Sequence, residues 1–120
     1  MSKINRFEDL DCWKNARILV KIIYQQKDSF KNDWSTKDQF QRAGLSVMNN
    51  IAEGFTRLSV KEKIRFLGIA QSSAAEVKSM LYVLDDLDYF SPSILKNLHK
   101  QVDVTRYQIL GFIKYLNGKK

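Results

Sequence analysis

The stretch that decides the fold is QRAGLSVMNNIAEGFTRLSVKEKIRFLGIAQSSAAE, which runs from Gln41 to Glu76. In its first half, polar residues recur three to four positions apart among apolar ones, which places them near one face of a helix. Its second half carries a run of small residues, and small side chains let two helices approach closely. Polar groups buried by such an approach need hydrogen-bond partners. We therefore predict a helical hairpin with a central polar network, whose members are Arg42, Ser46, Asn49, Asn50, Glu53, Ser73 and Glu76.

Two carboxylates in this stretch, Glu53 and Glu76, are expected to face the interior of the bundle. Acid–base catalysis by such a pair would need a cleft and an aligned substrate. A structural pairing with the neighbouring polar residues is the preferred interpretation, because buried polar groups commonly serve packing specificity. Replacing Glu53 by alanine is then expected to cost roughly 1–3 kcal/mol of stability, with Lys63 as an exposed control.

Working outward, apolar residues repeat at helical spacing along most of the chain and predict four helices at about 11–27, 36–57, 60–88 and 92–117. Ser35 or Thr36 is expected to cap the second helix, and Ser59 with Glu62 forms a capping box for the third. Ser91 followed by Pro92 predicts the start of the fourth. Short connections favour antiparallel neighbours. The fold class is therefore all-α, an antiparallel up-and-down four-helix bundle forming a single domain over residues 1–120.

The composition is that of a soluble globular protein, with 44% apolar and 28% charged residues. No apolar run approaches the ~20 residues that span a bilayer, and the first residues lack the hydrophobic region of a secretion signal. Cys12 is the single cysteine, which excludes an internal disulfide and fits the reducing cytoplasm. We expect a cytoplasmic protein with no membrane association.

The sequence contains few of the residue types that catalytic sites commonly use. His99 is the only histidine, so neither a zinc site nor the Glu-x-x-His pairs of a di-iron bundle can be assembled. Cys12 has no evident base partner, and no glycine-rich phosphate loop occurs. We predict that the protein is not an enzyme and has no catalytic residues, metal site or cofactor.

Charge is the remaining clue, since the chain carries a net +7. Residues 57–78 hold five bases and two acids, and residues 89–120 hold six bases and one acid. A basic surface attracts polyanions, although the same charge also serves solubility alone. The candidate nucleic-acid contacts are Lys14, Arg17, Lys21, Arg57, Lys61, Lys63 and Arg65.

Apolar residues outside the main stripes point to an oligomer. The second helix carries two apolar rows, and Phe66, Ile69 and Val83 lie outside the stripe of the third. A contiguous apolar surplus is typical of a protein interface.

The central stretch resembles a known family, the four-helix bundle proteins encoded in bacterial 23S ribosomal RNA intervening sequences. The resemblance is carried by the following residues: Arg42-Ala43, Ser46, Asn50-Ile-Ala-Glu-Gly54, Arg57, Lys61-Glu62, Phe66-Leu67, Ile69-Ala70, Ser73 and Glu76. The opening Phe7-Glu8-Asp9-Leu10 fits the same family, whereas Met48 departs from a proline that is frequent there. The resemblance implies a homopentamer. It also extends to accessory proteins of diversity-generating retroelements, which form basic pentameric barrels that bind nucleic acid and a reverse transcriptase.

Two functions therefore compete. The leading hypothesis is a non-enzymatic oligomer that associates with nucleic acid, with RNA favoured over DNA. The second is a protein-interaction scaffold, or an accessory subunit for a nucleic-acid enzyme such as a reverse transcriptase. Salt-dependent binding to generic RNA would favour the first, and nuclease-resistant copurification with one protein would favour the second.

Overall fold

The protein is described here by a computed structural model covering residues 4–118, in which four helices follow one another. They are α1 (Asp11–Gln25), α2 (Trp34–Thr56), α3 (Val60–Asp86) and α4 (Pro92–Asn117), preceded by a short 3-10 turn at Phe7–Asp9. Each helix packs against the next and α1 packs against α4, so α1 lies diagonal to α3. The bundle measures 47 × 23 × 20 Å. Within residues 4–118 no strand occurs, and the predicted all-α up-and-down bundle is confirmed.

The helix boundaries differ from the predicted ones by one or two residues at several ends. The start of α2 is the informative case, because the helix begins at Trp34 and not at residue 36. Asp33 is its N-cap, accepting a hydrogen bond from the Thr36 N–H at 3.1 Å. The chain reaches this cap through Lys31 and Asn32, whose φ angles are 51° and 69°. The expectation of a Ser35 or Thr36 cap is therefore wrong, because a better-placed carboxylate precedes both.

The other two predicted caps are present. The Ser59 hydroxyl accepts a hydrogen bond from the Glu62 N–H at 3.1 Å and starts α3. The Ser91 hydroxyl accepts one from the Ile94 N–H at 3.3 Å, with Pro92 as the first residue of α4. Each satisfies a helix N–H that has no partner within the helix.

The core is formed by one apolar stripe from each helix. Its largest fully buried side chains are Leu19, Ile23, Phe40, Val47, Ile51, Leu67, Val77, Leu81, Leu84, Leu98, Val102 and Ile109. Burying each of these side chains contributes on the order of 1.5–3 kcal/mol before the opposing entropy is counted. The stripes therefore fix which face of each helix is left for function.

One end of the bundle is closed by rings. Phe30, Phe40, Tyr89 and Phe90 meet where the α1–α2 and α3–α4 connections lie side by side, and we call this cluster the aromatic end. Ring centroids are 5.3 Å apart for Phe30 and Phe90 and 5.9 Å apart for Phe40 and Phe90. The Tyr89 hydroxyl donates to Asp33 at 2.9 Å, which ties both connections together. Trp34, the first residue of α2, is 67% exposed and lies outside this cluster.

The predicted polar network at the α2–α3 contact is smaller than expected. The Ser46 and Ser73 hydroxyls lie 2.7 Å apart. The Asn50 amide donates to the Ser46 carbonyl at 2.8 Å and to the Ser46 hydroxyl at 3.0 Å. Three of the seven predicted residues therefore form the network.

The other four predicted members are exposed in the protomer: Arg42, Asn49, Glu53 and Glu76. Arg42 pairs with Asp38 at 2.8 Å, and Glu53 pairs with Arg57 at 2.9 Å. The prediction that Glu53 and Glu76 face the interior is wrong for the protomer. On α3 the inner face is taken by Ala70, Ser73 and Ala74, and helical rotation carries Glu76 to the outside.

A second polar network, which the sequence did not indicate, joins α1 to α4. The Asn15 amide donates to the Gln108 side-chain oxygen at 2.7 Å. The Gln101 amide donates to the Asn15 carbonyl and side-chain oxygens at 2.9 and 3.0 Å. Scattered amide residues on amphipathic helices look like ordinary surface positions, so no pattern distinguishes these three.

Candidate nucleic-acid interface

The end opposite the aromatic end contains the short connection from α2 to α3. Four of the predicted contact residues follow one another here, Arg57, Lys61, Lys63 and Arg65, and Phe66 lies next to them. We call these five residues the basic corner. Ser59 caps α3 directly after α2 ends, so only residues 57–59 separate the two helices. This tight turn brings the end of α2 and the first two turns of α3 together.

The centre of the basic corner is the ring of Phe66. The Arg57 guanidinium carbon lies 4.4 Å from the ring centroid, and that of Arg65 lies 4.9 Å from it. A guanidinium is attracted to an aromatic face, so one ring holds two positive groups close together. Side chains that are 41% and 57% exposed keep both guanidiniums partly in water. The arrangement presents a pair of fixed cationic forks to solvent.

Each of these arginines also touches a carboxylate on its own helix. Arg57 pairs with Glu53 at 2.9 Å, and Arg65 pairs with Glu62 at 3.6 Å. Both pairs are exposed, and such pairs contribute little to stability. A guanidinium carries five N–H donors, so one carboxylate leaves donors available for another anion.

Lys63 has a different environment from the other bases of the corner. Its ammonium donates to the Phe55 carbonyl at 2.6 Å and lies 5.4 Å from the Phe55 ring. Burial lowers its pKa. The side chain therefore supports the C-terminal turn of α2, where carbonyls lack helical partners. The expectation that Lys63 is exposed is wrong, because its side chain is half-buried against Phe55.

Gly54 determines how closely α2 and α3 approach at the corner. A Cβ atom at this position would lie 3.1 Å from the Lys63 carbonyl oxygen and 3.2 Å from the Phe66 Cβ. Both neighbours belong to the backbone of α3 or are attached directly to it, so neither moves easily. The absent side chain thus places Phe66 and its two guanidiniums at the end of α2.

The predicted basic row on α1 lies elsewhere. Lys14, Arg17 and Lys21 are exposed, and Arg17 lies over the Trp13 ring at 5.8 Å. Because α1 and α3 are diagonal in the bundle, their exposed faces point in different directions. Within one protomer the seven predicted residues therefore form two separate surfaces.

Elsewhere in the described chain, few side chains are chemically reactive. No group of three or more potential metal ligands occurs within residues 4–118. Burial raises the pKa of the Cys12 thiol to about 12, so the thiol is protonated at neutral pH. Burial, with the charge of Lys78, lowers the pKa of His99. None of the helices in the described range is both long and apolar enough to cross a membrane.

Comparison with known proteins agrees with the fold and the motifs. The model of the 23S rRNA-intervening sequence protein family matches residues 8–111. A crystal structure of a protein of unknown function from the S23 ribosomal protein family of Bacteroides thetaiotaomicron VPI-5482 is similar, with a TM-score of 0.79 at 20% identity. The similarity covers 86% of this chain and 98% of that one. Among curated proteins, none matches. With a family model matching nearly all of its length and the fold agreeing, this chain belongs to the 23S rRNA-intervening sequence protein family.

Proposed function

We propose that this protein is a non-enzymatic, oligomeric RNA-associated protein that binds phosphates through its basic corner. The observation that carries the proposal is the pair of guanidiniums held 4.4 and 4.9 Å from the ring of Phe66. Arginine forks match the geometry of phosphate oxygens and bind them in a bidentate manner. Two such forks around one ring favour a chain of phosphates over a single anion.

RNA is the favoured ligand, with DNA as the alternative. The family's description refers to 23S rRNA, which supports RNA, and phosphate contacts themselves do not distinguish sequences. We therefore propose binding with little sequence preference. The net charge of +7 favours association with either polyanion.

Assembly of several copies is part of the same proposal, with the pentamer favoured by the family resemblance. Ile69 and Val83 are 39% and 46% exposed and lie on the same exposed side of α3, as expected from the apolar residues outside its main stripe. Burying this side between copies would remove apolar area from water. A ring of copies would also gather the α1 rows and the basic corners, which are separate in one protomer.

Fluorescence anisotropy with a labelled generic RNA across a salt series tests the binding. For the wild-type protein, the logarithm of affinity should fall steeply with the logarithm of salt concentration. The double variant Arg57→Gln/Arg65→Gln should reduce that slope by roughly 1.4–1.8, because each lost phosphate contact removes about 0.7–0.9. Lys96→Gln, an exposed charge at the other end of the bundle, is the control and should change the slope less. A wild-type protein that ignores RNA at low salt would refute the proposal.

A second candidate function is supported by one residue at the corner. Leu58, at the tip of the α2–α3 connection, is 101% exposed. A fully exposed leucine on a tight turn fits a protein partner, such as a reverse transcriptase for which this chain would be an accessory subunit. Under this alternative, the complex would survive nuclease treatment and Leu58→Ser would abolish it. In both cases we place the protein in the cytoplasm, in keeping with its single thiol.

A further inference from the structure

A groove between α3 and α4 contains polar groups that the fold itself does not use. It is about 220 Å³ in volume. It is lined by Gln71, Lys78, Asp103, Arg106, Tyr107 and Leu110, and we call it the α3–α4 groove. The antiparallel register of its walls is set by the Lys78–Asp103 ion pair at 3.0 Å and by the edge-to-face contact of Tyr82 with His99 at 5.0 Å.

Two residues that line this groove each carry a buried side-chain atom that lacks a hydrogen-bond partner. The Gln71 side-chain oxygen is an acceptor, and the Arg106 Nε–H is a donor. Leaving a buried polar group unpaired is unfavourable, and native structures rarely do so without a reason. By contrast, Lys78 and Asp103 in the same groove satisfy each other. An acceptor and a donor that share one groove match a ligand edge that offers one donor and one acceptor.

Tyr107 supplies a flat surface beside these two atoms. Its side chain is 75% exposed, the largest exposure of any aromatic residue in the described chain. A planar ring could therefore lie against the exposed face of Tyr107 without displacing protein atoms.

Charge is asymmetric along the groove. On α3, Lys61, Gly68, Ala75 and Tyr82 follow one another at intervals of seven residues and so lie on one face. Lys61 is exposed near the start of α3, at the end of the bundle that carries the basic corner. On α4, Lys114 follows Tyr107 by seven residues and is exposed at the same end. The end of the bundle that carries the basic corner thus adds exposed lysines on both helices of the groove, whereas Lys78 within the groove is paired with Asp103.

We propose that the α3–α4 groove binds an unpaired base of a single-stranded RNA. The base stacks on Tyr107, its edge donates to the Gln71 oxygen and accepts from the Arg106 Nε–H once these side chains turn toward the groove, and the adjoining phosphates lie on Lys114 and the basic corner. Unpaired bases are recognised in this way by aromatic stacking and edge hydrogen bonds, whereas paired bases in a duplex are not accessible to stacking. This inference rests on the proposed RNA binding and adds its substrate class: a single-stranded segment.

The test compares a short unstructured RNA with a blunt RNA duplex of the same length, using the full chain and fluorescence anisotropy. Tyr107→Ala should weaken binding of the single strand roughly 5- to 150-fold, the range expected for one lost base stack, and should leave duplex binding unchanged. Tyr107→Phe keeps the ring and should bind both RNAs like the wild type. The corner variant Arg57→Gln/Arg65→Gln should weaken both RNAs together.

A second variant separates binding from folding. Gln71→Leu removes the unpaired acceptor at similar volume, so the melting temperature should stay the same or rise while single-strand affinity falls. A lower melting temperature with unchanged single-strand affinity would show that Gln71 serves only the fold.

Three outcomes would overturn the inference. If Tyr107→Ala binds the single strand as tightly as wild type, the groove does not hold a base, although the basic corner remains a phosphate site. If Tyr107→Ala changes the mass of the oligomer but not RNA affinity, the groove is a protein contact. If the wild-type protein binds neither RNA, both this inference and the proposed function fail.

Discussion

The aromatic end is built from several aromatic rings and the basic corner around one, and the rings of the two ends have different neighbours. At the aromatic end, Phe30, Phe40 and Phe90 contact one another and are 2%, 0% and 5% exposed. At the basic corner, Phe66 contacts two guanidiniums that stay partly in water. Leu58 beside it is fully exposed.

The difference separates stability from binding. Rings packed on rings remove apolar area from water on every side, which stabilises the folded state. A ring packed on cations positions charges, and the N–H donors that the neighbouring carboxylates do not use stay available for an anion. We therefore expect substitutions at the aromatic end to change the free energy of unfolding, and substitutions at the corner to change affinity.

The largest effect is expected from Phe40→Ala. This side chain is 0% exposed and contacts both Phe30 and Phe90, so its removal leaves a cavity among rings. The free energy of unfolding should fall by about 3–5 kcal/mol. Urea unfolding measures it, with Leu58→Ala as the control, which should change stability by less than about 0.5 kcal/mol. Equal losses in the two variants would show that the ends do not differ in this way.

The next effect tests whether the corner depends on close helix approach. Gly54→Ala forces a Cβ against the Lys63 carbonyl and the Phe66 Cβ, and overpacking of this kind destabilises by about 1–3 kcal/mol. RNA affinity should fall with it, because Phe66 carries both guanidiniums. Gly68→Ala meets open space and should gain up to about 1 kcal/mol from helix propensity. If thermal unfolding shows that both variants are more stable than the wild type, the close approach of α2 and α3 at Gly54 does not limit the side chain at this position.

A third effect, of intermediate size, concerns acid at the aromatic end. Hydrogen bonding from Thr36, and then from the Tyr89 hydroxyl, lowers the pKa of Asp33. A carboxylate with a lowered folded pKa contributes stability above its unfolded pKa of about 3.9, and this contribution is lost as pH falls through the folded pKa. Asp33→Ala should therefore lower the free energy of unfolding at neutral pH, because α2 loses its N-cap. The difference from wild type should shrink below about pH 4.

Urea unfolding at neutral and acidic pH measures this dependence. Asp38→Ala, which removes only an exposed pair with Arg42, is the matched control and should show little loss at either pH. A constant deficit of Asp33→Ala across the series would mean that the carboxylate charge is not what stabilises this end.

The smallest effect on stability is expected from Glu53→Ala at the corner. The structure replaces the sequence-based expectation of roughly 1–3 kcal/mol, because Glu53 is exposed and only pairs with Arg57. The loss should be within about 0.5 kcal/mol, and RNA affinity should rise since the Arg57 guanidinium loses a competing carboxylate. Asn50→Ala, which removes two bonds to Ser46, is the stability comparison at about 1 kcal/mol. A weaker RNA complex for Glu53→Ala would argue against phosphate binding at Arg57.

Much of the fold was predictable from sequence because it depends on periodicity. Four stripes at helical spacing and the caps at Ser59 and Ser91 define most of the bundle. The cap at Asp33 was missed because Ser35 and Thr36 are equally good candidates by residue type. Choosing among them depends on the left-handed backbone at Lys31 and Asn32, which no pattern in the sequence reveals.

The candidate site was only partly predictable. The charge pattern identified the basic residues of the corner. It did not predict that Lys63 donates a hydrogen bond to the Phe55 carbonyl while Arg65 lies over the Phe66 ring. Positions two apart on a helix face different ways, and the rotation of α3 is set by its contact with Gly54. The α3–α4 groove was missed for a related reason. Gln71 and Arg106 are ordinary surface types, and only the register of two helices brings them together.

The amide network between α1 and α4 has a consequence for how the chain folds. Its bonds join residues 86 and 93 positions apart, whereas the Ser46–Ser73 bond joins residues 27 apart. Contacts near in sequence close smaller loops and form sooner. The α2–α3 hairpin is therefore expected to assemble first. During synthesis, the face of α1 that α4 will cover stays open until the last helix has emerged, and it is at that stage that the chain is most exposed to aggregation.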